Sequence, residues 1–223
     1  MDIIYTFFER RALNAYVVGD YAKAERGFAA MLRRGGMRLG VRHNLALARL
    51  ALKDYVGAEK CFLGELEDYG ESFSRLRALA DLYYAWGKSD QAEQYYTEAL
   101  KIYQKDNAPS KAPIEEKRFA ELRLALCRDS VAFQLSREAE LALDQGNALL
   151  QEKRWDEAYV SFERAIKLDA SCFPALNNLG VIAMNQRKDY PDAIKRFKAA
   201  AKLSSAPALR MNLAKAEALL SSP

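Results

Sequence analysis

The feature that most constrains this chain is an internal repeat with a stride of 34 residues. Gly19-Asp20-Tyr21-Ala22-Lys23-Ala24-Glu25 returns as Lys53-Asp54-Tyr55-Val56-Gly57-Ala58-Glu59 and again as Gly87-Lys88-Ser89-Asp90-Gln91-Ala92-Glu93. The alanines at 24, 58 and 92 keep that step, as do the aromatics Phe28, Phe62 and Tyr96 and the small residues Ala12, Ala46 and Ala80. Three columns on one period describe a stack of like units, each too small to bury its apolar face alone.

A second block follows. Gly146-Asn147-Ala148 leads to Trp155-Asp156-Glu157-Ala158 and Phe162, and Asn178-Leu179-Gly180 leads to Tyr190-Pro191-Asp192-Ala193 and Phe197. The step from Ala158 to Ala193 is 35, which predicts one inserted residue near 187–190. Within each unit apolar residues recur at helical spacing: Leu76, Leu79, Ala80, Tyr83 and Tyr84 form one face and Ala92, Tyr95, Tyr96 and Ala99 its partner. Small residues at 80, 92, 146, 158 and 180 let two helix backbones approach, and the following aromatic fills the gap.

This pattern resembles the tetratricopeptide repeat over about 1–104 and 139–205, best at 141–169. The resemblance implies an all-α fold, a right-handed solenoid of helical hairpins with about five helix pairs, a bridging helix and a C-terminal capping helix. Helices are expected near 2–17, 20–33, 38–52, 54–68, 72–86, 88–104, 137–152, 154–168, 172–186, 190–203 and 207–221. Pro109 and Pro113 interrupt the array, and Ile114 to about Leu135 reads as one further helix. The expected organisation is 1–106, three repeats; 107–136, a linker with a bridging helix or degenerate repeat; and 137–223, two repeats and a cap carrying Leu209, Leu213, Ala216 and Leu220. Arg42, Arg49 and Glu65 occupy positions that the family fills with apolar or small residues. Either their long side chains reach outward, or Arg49 and Glu65 pair between helices.

Composition excludes several functions. Charge is balanced, 34 basic against 30 acidic residues, without a basic block, which argues against nucleic acid as the partner. Cys61, Cys127 and Cys172 are far apart and His43 is the one histidine, so a structural zinc site is not expected. Odd cysteine usage fits a reducing compartment, so a cytoplasmic location is expected for the chain or for the longer protein of which it is a fragment. The N-terminal run Ile3-Ile4-Tyr5-Thr6-Phe7-Phe8 stops at Glu9-Arg10-Arg11 and is not a signal sequence, and no stretch is apolar enough to span a membrane. No nucleotide-binding, metalloprotease or nucleophile-elbow motif occurs, so neither catalysis nor a cofactor is expected.

What remains is binding. The resemblance implies that the first helix of each pair lines a concave groove. That places His43, Asn44, Leu47, Arg77, Asp81 and Tyr84 there in the first block, and Asp144, Asn147, Gln151, Asn177, Asn178, Asn185, Asn212 and Lys215 in the second. Asn147, Asn178 and Asn212, at steps of 31 and 34, form an expected ladder of amides, groups that donate and accept at once and suit an extended peptide backbone. The set resembles part of the carboxylate clamp for chaperone tails, but Leu143 and Asn212 stand where cations are required. The expected function is a protein interaction module or scaffold that holds a partner protein or peptide. The alternatives are a regulatory domain of an enzyme assembly and a helical-repeat RNA-binding protein. Ile3, Ile4, Phe7 and Phe8 crowd the first helix and offer a contact for a partner or a second copy of the chain.

Overall fold

A computed structural model describes residues 3–34, 40–105 and 112–221, with the side chains of residues 3 and 4 left aside. Among the described residues every regular element is a helix. The chain divides into two compact units, Met1–Ile102 and Tyr103–Pro223.

In the first unit α1 (Ile3–Val17), α2 (Tyr21–Arg33), α3 (Val41–Ala51), α4 (Tyr55–Tyr69), α5 (Phe73–Trp86) and α6 (Ser89–Lys105) alternate, each packed against the next in sequence up to α5; the last residues of α6 fall in the second unit. The second unit contains α7 (Ile114–Arg128), α8 (Ser130–Gln151), α9 (Trp155–Leu168), α10 (Phe173–Ile182), a π-helical turn (Ala183–Arg187), α11 (Tyr190–Ala201) and α12 (Pro207–Ser221). These are the paired helices that the stride predicts.

The turn inside each repeat is built from two residues. The first lies in the left-handed region: Gly19 and Gly87 at φ 83°, Lys53 at 61°, Lys153 at 60° and Lys188 at 56°. The second opens the next helix. Asp20, Asp54 and Asp189 each accept a bond from the backbone N–H three residues on, satisfying a donor that the helix leaves free. In four turns the N–H of this second residue reaches a carbonyl five residues back: Asp20 to Ala15, Asp54 to Arg49, Lys88 to Tyr83 and Arg154 to Leu149. In the fifth, Asp189 reaches six back, to Ala183. The inserted residue expected near 187–190 is therefore taken up one turn earlier, as the π-helical turn. The lysines carry a left-handed backbone that glycine tolerates better, so Lys153→Gly is expected to stabilise the protein by about 1 kcal/mol. A raised Tm on thermal unfolding checks this; an unchanged or lowered Tm contradicts it.

The small-to-large pattern of the sequence is the packing rule of the second unit. A methyl added at Gly146 would lie 2.5 Å from the Phe162 ring, and one at Gly180 would lie 2.6 Å from the Phe197 ring. Both rings are fully buried, Phe162 with Ala158, Ala165 and Leu179, and Phe197 with Met184, Ala193 and Ala216. Ala216 of the last helix thus covers the final pair, as expected of a cap, while Leu220 stays exposed.

Two expectations are corrected. The helix expected over Ile114 to Leu135 ends at Arg128, because the extended backbone of Asp129 and its side chain, which accepts from the N–H of Val131 and Ala132, start a new helix. That helix, α8, then runs unbroken for 22 residues. The described part of the segment 107–136, expected to be a linker with a bridging helix or degenerate repeat, lies in the second unit; residues 107–111 lie outside the described residues. There α7 runs along the loops that join successive helix pairs. Phe119 meets Phe173 edge-on at 5.4 Å, Glu116 accepts from Ser205 at 3.2 Å, and Arg123 faces Asp169 at 3.5 Å. Finally, Arg49 does not pair with Glu65. Its guanidinium binds Glu25 at 3.1 Å, Arg42 binds Asp68 at 2.7 Å, and Glu65 has other partners. Ile3 and Ile4 of the expected N-terminal contact lie outside the described side chains; Phe7 is 62 % exposed.

Candidate functional site

The amides of the second unit come together. Asn147 stands on α8, Asn177 and Asn178 on α10, and Asn212 on α12, so three successive first helices each contribute. They form one directed chain. Asn212 Nδ2 donates to Asn177 Oδ1 at 3.0 Å, Asn177 Nδ2 to Asn178 Oδ1 at 3.3 Å, and Asn178 Nδ2 to Asn147 Oδ1 at 2.9 Å. The expected ladder is thus real but has four rungs, with Asn177 standing between Asn178 and Asn212. Stacking at the repeat stride places these residues side by side, and the mutual bonds fix each amide plane. A primary amide offers two N–H groups and two lone pairs, so each of the two middle residues still has one donor and one acceptor for a guest. Asn147 is exposed and the other three are half-buried, open to solvent on one side.

Around this row the other expected residues are exposed: Asp144 and Gln151 flank Asn147 on α8, Lys215 lies one turn beyond Asn212, and Asn185 projects from the π turn. Leu143 packs into the apolar cluster around Phe162. With Asn212 committed to Asn177, neither position can supply the cation that a terminal carboxylate would need. The same unit also holds a buried charged group. Arg123 and Asp169 face each other with side chains 9 % and 4 % exposed. Asp169 also accepts from the backbone N–H and hydroxyl of Ser171, at 2.8 and 2.6 Å. Burial pushes the nearby Glu140 carboxyl upward, only partly offset by Arg137 and Arg123.

In the first unit the corresponding groups are spent on one another. His43 Nδ1 lies 2.9 Å from Glu65 Oε2, and Arg75 Nε is 3.5 Å from the other oxygen of the same carboxylate, whose side chain is 7 % exposed. Arg77 binds Asp81 at 2.7 Å, and the Tyr96 hydroxyl donates to Asp81 at 2.6 Å. Asn44 is half-buried on α3 beside His43. Tyr84, expected in the groove, is 2 % exposed and packs edge-on against Tyr96, so it belongs to the core. The reason is that Tyr84 follows Ala80 by one turn and shares its inward face. Sequence reasoning singled out Glu65 but not its partners His43 and Arg75, and it missed the Arg123–Asp169 cluster, whose one signal was charge between apolar neighbours.

Chemically, the site can present hydrogen-bond donors and acceptors in a fixed row. All three cysteines are buried, and burial pushes the Cys172 thiol up to about 11 and raises that of Cys61, leaving little thiolate at neutral pH. Among the described residues no group of three or more His, Cys, Asp or Glu side chains is placed to hold a metal ion, and no helix is long and apolar enough to cross a membrane.

Two family models described as tetratricopeptide repeat match residues 78–106 and 143–207. No curated protein matches in sequence. Among solved structures the chain is similar to MamA MSR-1 (17% identity, 91% of this chain and 97% of that one, TM-score 0.43). It is also similar to YrrB, described as a TPR protein with an unusual peptide-binding site (16% identity, 93% and 90%, TM-score 0.41). A third is the TPR2AB domain of yeast Sti1 in complex with pHSP90 (14% identity, 97% and 84%, TM-score 0.43).

Proposed function

This chain is a tetratricopeptide repeat protein, and from that premise we propose that it is an interaction module whose second unit holds an extended segment of a partner protein along the amide row. The observation that carries this reading is the hydrogen-bonded chain Asn212–Asn177–Asn178–Asn147, contributed by three stacked helices. An extended peptide presents N–H and C=O groups that these amides can accept from and donate to, and the row is held in place before the guest arrives. Pre-organised rows lose little freedom on binding, which raises affinity without a large buried area. The neutral donors favour an internal segment over a free carboxylate end, since no cation stands at the two clamp positions.

A peptide array probed with the labelled full chain supplies ligands, and binding of the best of them is then compared between the wild type and Asn147→Ala/Asn178→Ala. Loss of about tenfold or more in affinity is expected, about 1.4 kcal/mol or above from two removed amides, with the helical circular dichroism unchanged. Undiminished binding by the double variant would remove the amide row as the site.

A further inference from the structure

The pair α1 and α2 packs against α3, and Ala24 and Phe28 of α2 are fully buried. On another face of the same pair a groove of about 450 Å³ opens. Its floor is apolar: Phe8, Ala12, Gly27, Ala30 and Met31. The helices approach so closely here that a methyl on Gly27 would come within 2.9 Å of the Ala12 methyl. Around the rim stand Arg11, Lys23, Arg26 and Arg34, and among the described residues none that lines the groove is acidic. Among the described residues none of these four cations has a carboxylate partner; the Arg34 guanidinium lies 5.9 Å from the Phe8 ring. On α3 and α5 of this unit Arg42, Arg49, Arg75 and Arg77 each face an acid.

Four unneutralised positive charges around an apolar trench define what the trench suits. We propose that this groove docks an acidic amphipathic helix of a partner protein, its apolar stripe on Phe8 and Met31 and its carboxylates against Arg11, Lys23, Arg26 and Arg34. A trench between two helices has the shape that receives a third, and anchors at i, i+3, i+4 and i+7 would follow its floor. Methionine adapts to such anchors. The carboxylates would relieve the mutual repulsion of the rim and speed encounter. A bare polyanion would meet the cations but gain nothing from Phe8 and Met31. This site is separate from the amide row and does not depend on it.

The test uses the full chain and fluorescence anisotropy. The probe is a fluorescein-labelled synthetic helix of about 18 residues, leucine on one stripe and glutamate on the other face. Controls are a scrambled peptide of the same composition and one with lysine for glutamate. Only the patterned acidic peptide should bind. Arg11→Glu/Arg26→Glu and, separately, Phe8→Ser should each weaken it about tenfold or more. Arg154→Glu, an exposed change in the other unit, should leave it unchanged. The four substituted residues are exposed, so an unaltered thermal transition accompanies the expected result. Equal binding of the scrambled or lysine peptide, or indifference to the charge reversals, would overturn the proposal. So would heparin binding that ignores Phe8→Ser, which identifies a polyanion site, or self-association abolished by Arg11→Glu/Arg26→Glu, which makes a second copy the occupant.

Discussion

Phe162→Ala is expected to destabilise the second unit by about 3–5 kcal/mol, the range for emptying an aromatic site in a closed core. The ring is fully buried, enclosed by Ala158, Ala165 and Leu179, and rests against the bare backbone of Gly146. The same contact predicts the sign of a second change. In the wild type Gly146→Ala brings a methyl to 2.5 Å from the ring edge. The overpacking, about 1–3 kcal/mol, exceeds the gain of up to about 1 kcal/mol from alanine's helix propensity, so the variant loses about 1 kcal/mol. In the Phe162→Ala background the obstacle is gone, and Gly146→Ala should then stabilise. Such a reversal is a coupling of the kind that a double-mutant cycle isolates. Urea unfolding of the four proteins measures it. Equal effects of Gly146→Ala in both backgrounds would mean that the glycine and the ring do not meet.

Asp169→Ala is expected to cost about 3–5 kcal/mol, because it leaves the Arg123 guanidinium buried without the carboxylate it faces. The double change Arg123→Met/Asp169→Asn should recover much of that loss: the buried charge is removed, while the asparagine oxygen can still accept from Ser171. Arg123 is carried by α7 and Asp169 by the loop before α10, so the single variant should also loosen α7. Faster amide exchange over 114–128 would report this. Unchanged stability together with unchanged exchange would show that α7 is held without this ion pair, by Phe119 on Phe173 and the Ser205–Glu116 bond.

The repeat stride made most of the fold legible. It rests on steric facts that sequence displays directly: a small residue where two backbones meet, an aromatic sixteen or seventeen residues later that fills the gap, and a left-handed residue followed by a cap at the turn. Even the 35-residue step announced an extra residue, though not that a π turn would absorb it. What escaped was set by non-local contacts. Nothing local in Ile114–Leu135 marks a break except Asp129, whose capping bonds decide it. The partners of Glu65 and Arg123 come from helices and loops 10 to 46 residues away, beyond the reach of periodicity. At the site, three asparagines were visible as a column, yet the link through Asn177 depends on how α10 is turned against α12. Tyr84 was misplaced because a helix face wide enough for two stripes does not declare which one the neighbouring helix covers.

The most direct measurement of the central claim is a nitrogen-15 NMR titration that follows the side-chain amides of Asn147, Asn177, Asn178 and Asn212 as an array-selected peptide is added. Their proton and nitrogen resonances should move together, saturate at one peptide per chain, and do so while the amide signal of Asn44 in the first unit stays still. Saturable peptide binding that leaves all four resonances unmoved would contradict the account.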